Sequence, residues 1–220
     1  MTVRRILGRH RGYLVTAGLC CASAAVLAAL PGTGVLPVLG TVPLLPVTLI
    51  SAFAGAVLLH VLGNLAPLGP AYRGRHIAQL LALGAVLALP PIAIDLAMPF
   101  PRGMNLPLPG ALFFYLAIAL VAEVVFHLVP LAALNALLPR RVSRLWLFLP
   151  VVFVEPLFQA MVTDGPALQS WLVIGNVSLI SATQLWLFRR YGFVAMIGVR
   201  LAFYLFWHIL WGALRLPLLF

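Results

Sequence analysis

The chain has 220 residues, 64% of them hydrophobic and 8% charged, and its mean hydropathy is +1.12. That composition excludes a soluble single-core domain and predicts an all-α integral membrane protein, a bundle of about seven transmembrane helices in one membrane domain spanning 1–220. The net charge of +10 comes from 14 arginines and no lysine against four acids, so an acid inside an apolar stretch stands out.

Seven stretches are long enough to cross about 30 Å of hydrocarbon at roughly 1.5 Å per residue. In chain order they are Tyr13 to Leu30, Pro46 to Leu62, Ile77 to Met98, Leu108 to about Pro130, Leu145 to Val162, Gln169 to Phe188, and Tyr191 to about Leu210. Arginines ahead of the first stretch resemble a signal peptide, but an 18-residue run followed by six more spans predicts a retained helix. Cys20 and Cys21 are adjacent, cannot form an ordinary disulfide with each other, and read as small packing residues. Pro43 and Pro46 blur the start of the second stretch, and the fourth can run on to Leu138. Pro90 and Pro91 predict a kink in the third, ahead of Asp95, which reads as a solvated or interfacial carboxylate near the span's outer end.

Eleven arginines fall in the amino-terminal tail or alternate loops, namely Arg4, Arg5, Arg9, Arg11, Arg73, Arg75, Arg140, Arg141, Arg144, Arg189 and Arg190. Arg102 and Arg215 fall on the opposite face. The positive-inside rule then places the amino terminus in the cytoplasm and the carboxyl terminus outside. Short basic loops beside spans predict contact with the headgroups of the lipid bilayer, and no nucleic acid partner.

The remaining polar residues concentrate in four consecutive spans of the carboxyl-terminal half. Glu123 and His127 lie four apart on one helix face, and Glu155 and Gln159 repeat that spacing. Asn176 falls near the middle of the sixth span, while Arg200, Tyr204 and His208 form a stripe on the seventh. Such a set is what a buried polar cavity requires. Arg200, at mid-bilayer, needs a carboxylate, and Glu123 and Glu155 lie at its level; if only one of them is the main partner, Arg200→Leu is tolerated better than loss of that acid. His127 and His208 fall some 18 Å apart along the membrane normal in straight helices. Because metal ligands all lie about 2 Å from the ion, a shared two-histidine site is not expected. Trp207 and Trp211 around His208 predict an outer aromatic belt.

The segment Val121 to Pro130 resembles the GluGluxxxArg helix of the CPBP family, the CAAX-protease and bacteriocin-processing intramembrane peptidases. Tyr191 and Gly192, followed by the Arg200 stripe, resemble that family's closing aromatic-glycine turn and HisxxxAsn segment. The likeness covers roughly residues 110 to 212, dividing the domain into amino-terminal spans 1–107 and a CPBP-like core at 108–214. Carried over, the family's first glutamate falls on Ala122, its second on Glu123 and its arginine on His127. The PhexxxHis histidine falls on Leu157 counted from Phe153, and the last motif falls on Arg200 and Tyr204.

The resemblance thus implies an atypical intramembrane peptidase with an altered site, acting on a peptide or prenylated peptide. In that reading Glu123 is the general base for a water, His127 orients it and Glu155 supports the cavity. No cofactor is expected, and zinc enters only if peptidase chemistry is retained. Oligomeric state stays open. The alternatives are a non-enzymatic membrane protein that keeps the fold for binding or assembly, and a small transporter or channel. A retinal protein is excluded by the missing lysine, and a rhomboid-like serine protease by the missing GlyxSer motif.

Overall fold

The computed structural model describes residues 3–30, 42–63, 65, 74–139, 143–162 and 166–220. Arg73, Arg140 and Arg141, and most of the Gly- and Pro-rich stretch after Leu30, lie outside the described residues. Among those described, the regular structure is helical, as expected where lipid offers no partner for backbone N–H and C=O groups. The helices are α1 (Val3–Ala29), α2 (Leu44–Val61), α3 (Gly74–Ala97), α4 (Gly110–Glu123), α5 (Val129–Leu137), α6 (Arg144–Val151), α7 (Val154–Val162), α8 (Ala167–Tyr191), α9 (Phe193–Tyr204) and α10 (Gly212–Leu219). Six continuous helical stretches are long and apolar enough to span a membrane, and the shorter apolar stretch Leu145–Met161 brings the count to about seven. Large apolar side chains such as Ile50, Phe53 and Trp171 are about 70% exposed, the distribution expected of a surface solvated by lipid.

The fourth span takes the longer of the two courses the sequence allows, and the seventh runs further than the sequence predicts. The fourth continues from α4 to the end of α5 at Leu137 through a π-helical turn at Val124–Leu128. There the Val129 amide donates to the Val124 carbonyl, five residues back, and the widened turn absorbs the donor that Pro130 lacks. The seventh passes through a second π-helical segment, Leu205–Trp211, into α10. The fifth is interrupted instead: Val152 and Phe153 form a turn between α6 and α7, flanked by Pro150 and Pro156. This break places Glu155 in the first turn of α7, where a helix N-terminus favours negative charge. Pro90 and Pro91 lie inside a helix that continues to Ala97.

The central element is α9, packed against α1, α3, α4 and α8. It reverses from α8 at Gly192, whose φ of 85° is a conformation side chains rarely adopt, so the TyrGly turn seen in the sequence is a one-residue hairpin corner. Against α3, α9 approaches so closely that a Cβ on Gly84 would lie 2.7 Å from the backbone of Ala202 and of Phe203. Small residues allow such backbone approach in membranes, where packing rather than hydrophobicity holds helices together. A helix enclosed on four sides carries Arg200, and that enclosure decides the arginine's environment.

Asp95 and Arg215 depart from expectation. Neither is solvated; they are 0% and 1% exposed and form an ion pair in which Arg215 Nε donates to Asp95 Oδ2 at 2.6 Å and Nη2 to Oδ1 at 2.8 Å. Asp95 also accepts from Trp211 Nε1 at 2.7 Å and from the Phe100 amide at 2.8 Å, while Arg215 donates to the Phe100 and Pro101 carbonyls. Because each charge offsets the other, Arg215 enters the bundle and the seventh span extends past Leu210. The same network fixes the stretch after α3 against α10.

Candidate functional site

Arg200 is 2% exposed and meets both glutamates. Its Nε donates to Glu123 Oε1 at 2.7 Å, while Nη1 and Nη2 form a fork on Glu155 Oε1 and Oε2 at 2.8 and 2.6 Å. Nη1 also donates to the Tyr204 hydroxyl at 3.1 Å, and Nη2 to Gln184 Oε1 at 3.2 Å. All five guanidinium N–H groups therefore have an acceptor, the condition under which a buried arginine is tolerated. Since both acids are partners, the ordering expected for a single partner reverses: removing one acid leaves a neutral pair, whereas removing Arg200 leaves two uncompensated carboxylates.

Glu123 is 0% exposed, with both oxygens engaged. Oε1 accepts from Arg200 and, at 2.7 Å, from Gln184 Nε2; Oε2 contacts His127 Nδ1 at 2.7 Å. The four-residue spacing on α4 and its π turn thus brings Glu123 and His127 together as the sequence predicts. His127 Nε2 is buried with no hydrogen-bond partner among the described residues. Gln184, which bridges Glu123 and Arg200, is a residue the sequence reading missed. Its signal was an amide inside an apolar span, two turns beyond Asn176.

Arg200 also borders a cavity of about 100 Å³. Its polar lining is formed by Glu155, Gln159, Asn176, Arg200, Tyr204 and His208, so six of the predicted residues meet there, whereas Glu123 and His127 do not line it. Among the described residues, Gln159 Nε2 makes a long 3.5 Å contact to Glu155 Oε1, and Asn176 Oδ1 is buried without a partner.

His208 is not part of an interfacial belt. Its ring stacks on Tyr115 with centroids 4.4 Å apart, and its Nδ1 contacts Asn105 Oδ1 at 2.8 Å. An amide oxygen only accepts, so Nδ1 carries the proton and Nε2 is the ring's acceptor. Trp207 is 3% exposed and Trp211 is held by Asp95, so both flanking indoles face the bundle as well. Nothing in the sequence marked Asn105, which comes from a Pro-rich loop.

The donor set does not fit the zinc that the resemblance allows. His127 is paired with Glu123 on one side of Arg200, and His208 is held by Asn105 eight residues further along the last helix, about 12 Å at regular helical rise. Among the described residues no three His, Cys, Asp or Glu side chains converge as ligands. Compared with known proteins, the chain matches no family model, no curated protein and no solved structure.

Proposed function

We propose that this is a CPBP-like membrane protein that keeps the fold to bind a ligand in its cavity and does not hydrolyse peptides. One observation carries this reading: Glu123, the candidate base, is fully buried with both oxygens bonded to Arg200, Gln184 and His127, away from the cavity. A general base must come within hydrogen-bond reach of the water it activates. The other carboxylate, Glu155, does border the cavity, but both its oxygens are engaged by the guanidinium fork. Two acids locked on one permanent cation hold Arg200 rigidly at the cavity's edge, and the amides, phenol and imidazole beside it supply directional contacts.

The second reading is a glutamate-dependent intramembrane peptidase, favoured by the 2.7 Å contact of Glu123 with His127. One assay separates the two. Purified protein is expected not to cleave a prenylated CAAX-type peptide or a leader peptide in any Glu123-dependent way. Cleavage by the wild type that disappears in Glu123→Gln, with the variant still folded, would establish the peptidase instead.

Following the resemblance, we place the chain in a bacterial plasma membrane with its amino terminus cytoplasmic. The arginine distribution supports this orientation. The loop joining α3 to α4, and with it the nearby end of the cavity, then faces outward. Reporter fusions at the two chain ends are expected on opposite sides of the membrane; a cytoplasmic signal from both would remove a span from this topology.

A further inference from the structure

We infer that the cavity is a binding site for a small organic ammonium ion. The inference rests on the binding reading above and names its ligand class. Size comes first. At about 10–15 Å³ per water on the same measure, 100 Å³ holds roughly seven to ten water-sized positions, which suits a ligand of a few heavy atoms.

Aromatic rings border the cavity as well, those of Phe100, Phe203, Tyr204 and Trp207. These rings are turned against one another rather than stacked. Phe100 and Trp207 stand at 73° with centroids 5.7 Å apart, and His208 stands at 78° to Tyr204 and 87° to Phe203. Aromatic rings bordering a cavity attract an ammonium group that reaches their faces.

Charge and hydrogen bonding select the same ligand. Counting His127 as neutral, Glu123, Glu155 and Arg200 sum to one residual negative charge, and Glu155 is the acid that borders the cavity. Asn176 Oδ1 is a buried acceptor without a partner among the described residues, and His208, which also borders the cavity, has Nε2 as its ring acceptor. A cation carrying a hydroxyl or N–H donor meets all of these features. An anion would meet a wall whose only cation has every donor already engaged.

The test compares two probes of nearly identical shape on the intact wild-type protein in detergent. Choline carries the charge, and 3,3-dimethylbutan-1-ol replaces its nitrogen with carbon. Calorimetric titration is expected to show saturable choline binding at least about tenfold tighter than binding of the alcohol, the scale of a desolvated cation–π contribution. Trp207→Leu and Asn176→Leu should each weaken choline binding. The wild-type comparison of the two probes decides the matter even where Trp207→Leu does not fold. Equal binding of the two probes, or no saturable binding of choline, overturns the inference. Either result leaves the non-catalytic reading of Glu123 standing, since that reading fails only on Glu123-dependent cleavage.

Discussion

Arg200→Leu is expected to destabilise the protein by about 3–5 kcal/mol, more than loss of either glutamate, because it strands two carboxylates beside each other in a buried cluster. Those acids can shed charge by taking up protons, yet both must do so, and Gln184 and Tyr204 lose a donor at the same time. Glu155→Leu should cost least, about 1–3 kcal/mol, since Arg200 keeps Glu123, Gln184 and Tyr204. Glu123→Leu should fall between the two. It leaves Arg200 its fork on Glu155 but deprives Gln184 Nε2 and His127 Nδ1 of their partner. Equilibrium unfolding in detergent gives the order directly. A single acid loss costing more than Arg200→Leu would mean that the two acids do not share the guanidinium.

The second large effect is expected at the other buried pair. Asp95→Leu leaves Arg215, which cannot lose its charge, with only the Phe100 and Pro101 carbonyls, and it removes the acceptor of the Trp211 indole. The cost should again be about 3–5 kcal/mol. The damage should also be local, because this network ties the Phe100 segment to α10. Hydrogen exchange is expected to quicken at the Phe100 amide and along α10 while α1 and α4 stay protected. Adding Arg215→Leu should restore part of the lost stability, since an apolar pair of similar volume replaces an unpaired charge. A cost within about 0.5 kcal/mol, the range of surface substitutions, would show that the pair does not anchor this end of the bundle.

The apolar runs made the number of spans legible, because membrane insertion depends on length and hydropathy, both of which are local. Helical spacing made the Glu123–His127 contact legible, and equal depth brought Arg200 to the two glutamates. What stayed hidden depended on partners far apart in sequence. Asp95 and Arg215 are separated by 120 residues, and each looks like an interfacial charge until the other is beside it. Asn105 reaches His208 across a distance of 103 residues from a loop whose Gly and Pro content reveals no contact. The two π turns were also unreadable, since a widened hydrogen-bond register leaves no mark in side-chain propensity. The residue that changes the functional reading is Gln184: its bond to Glu123 Oε1 helps complete the enclosure that separates this carboxylate from the cavity.

The Glu123 carboxylate is committed to Arg200 at 2.7 Å. A double-mutant cycle of Glu123→Leu and Arg200→Leu, measured by equilibrium unfolding in one detergent, tests it most directly. The predicted result is a coupling toward the upper part of the roughly 0.5–3 kcal/mol range seen for residues in contact, with the double variant less damaged than the sum of the singles. Additive effects within error would contradict it and return Glu123 to the role of an available base.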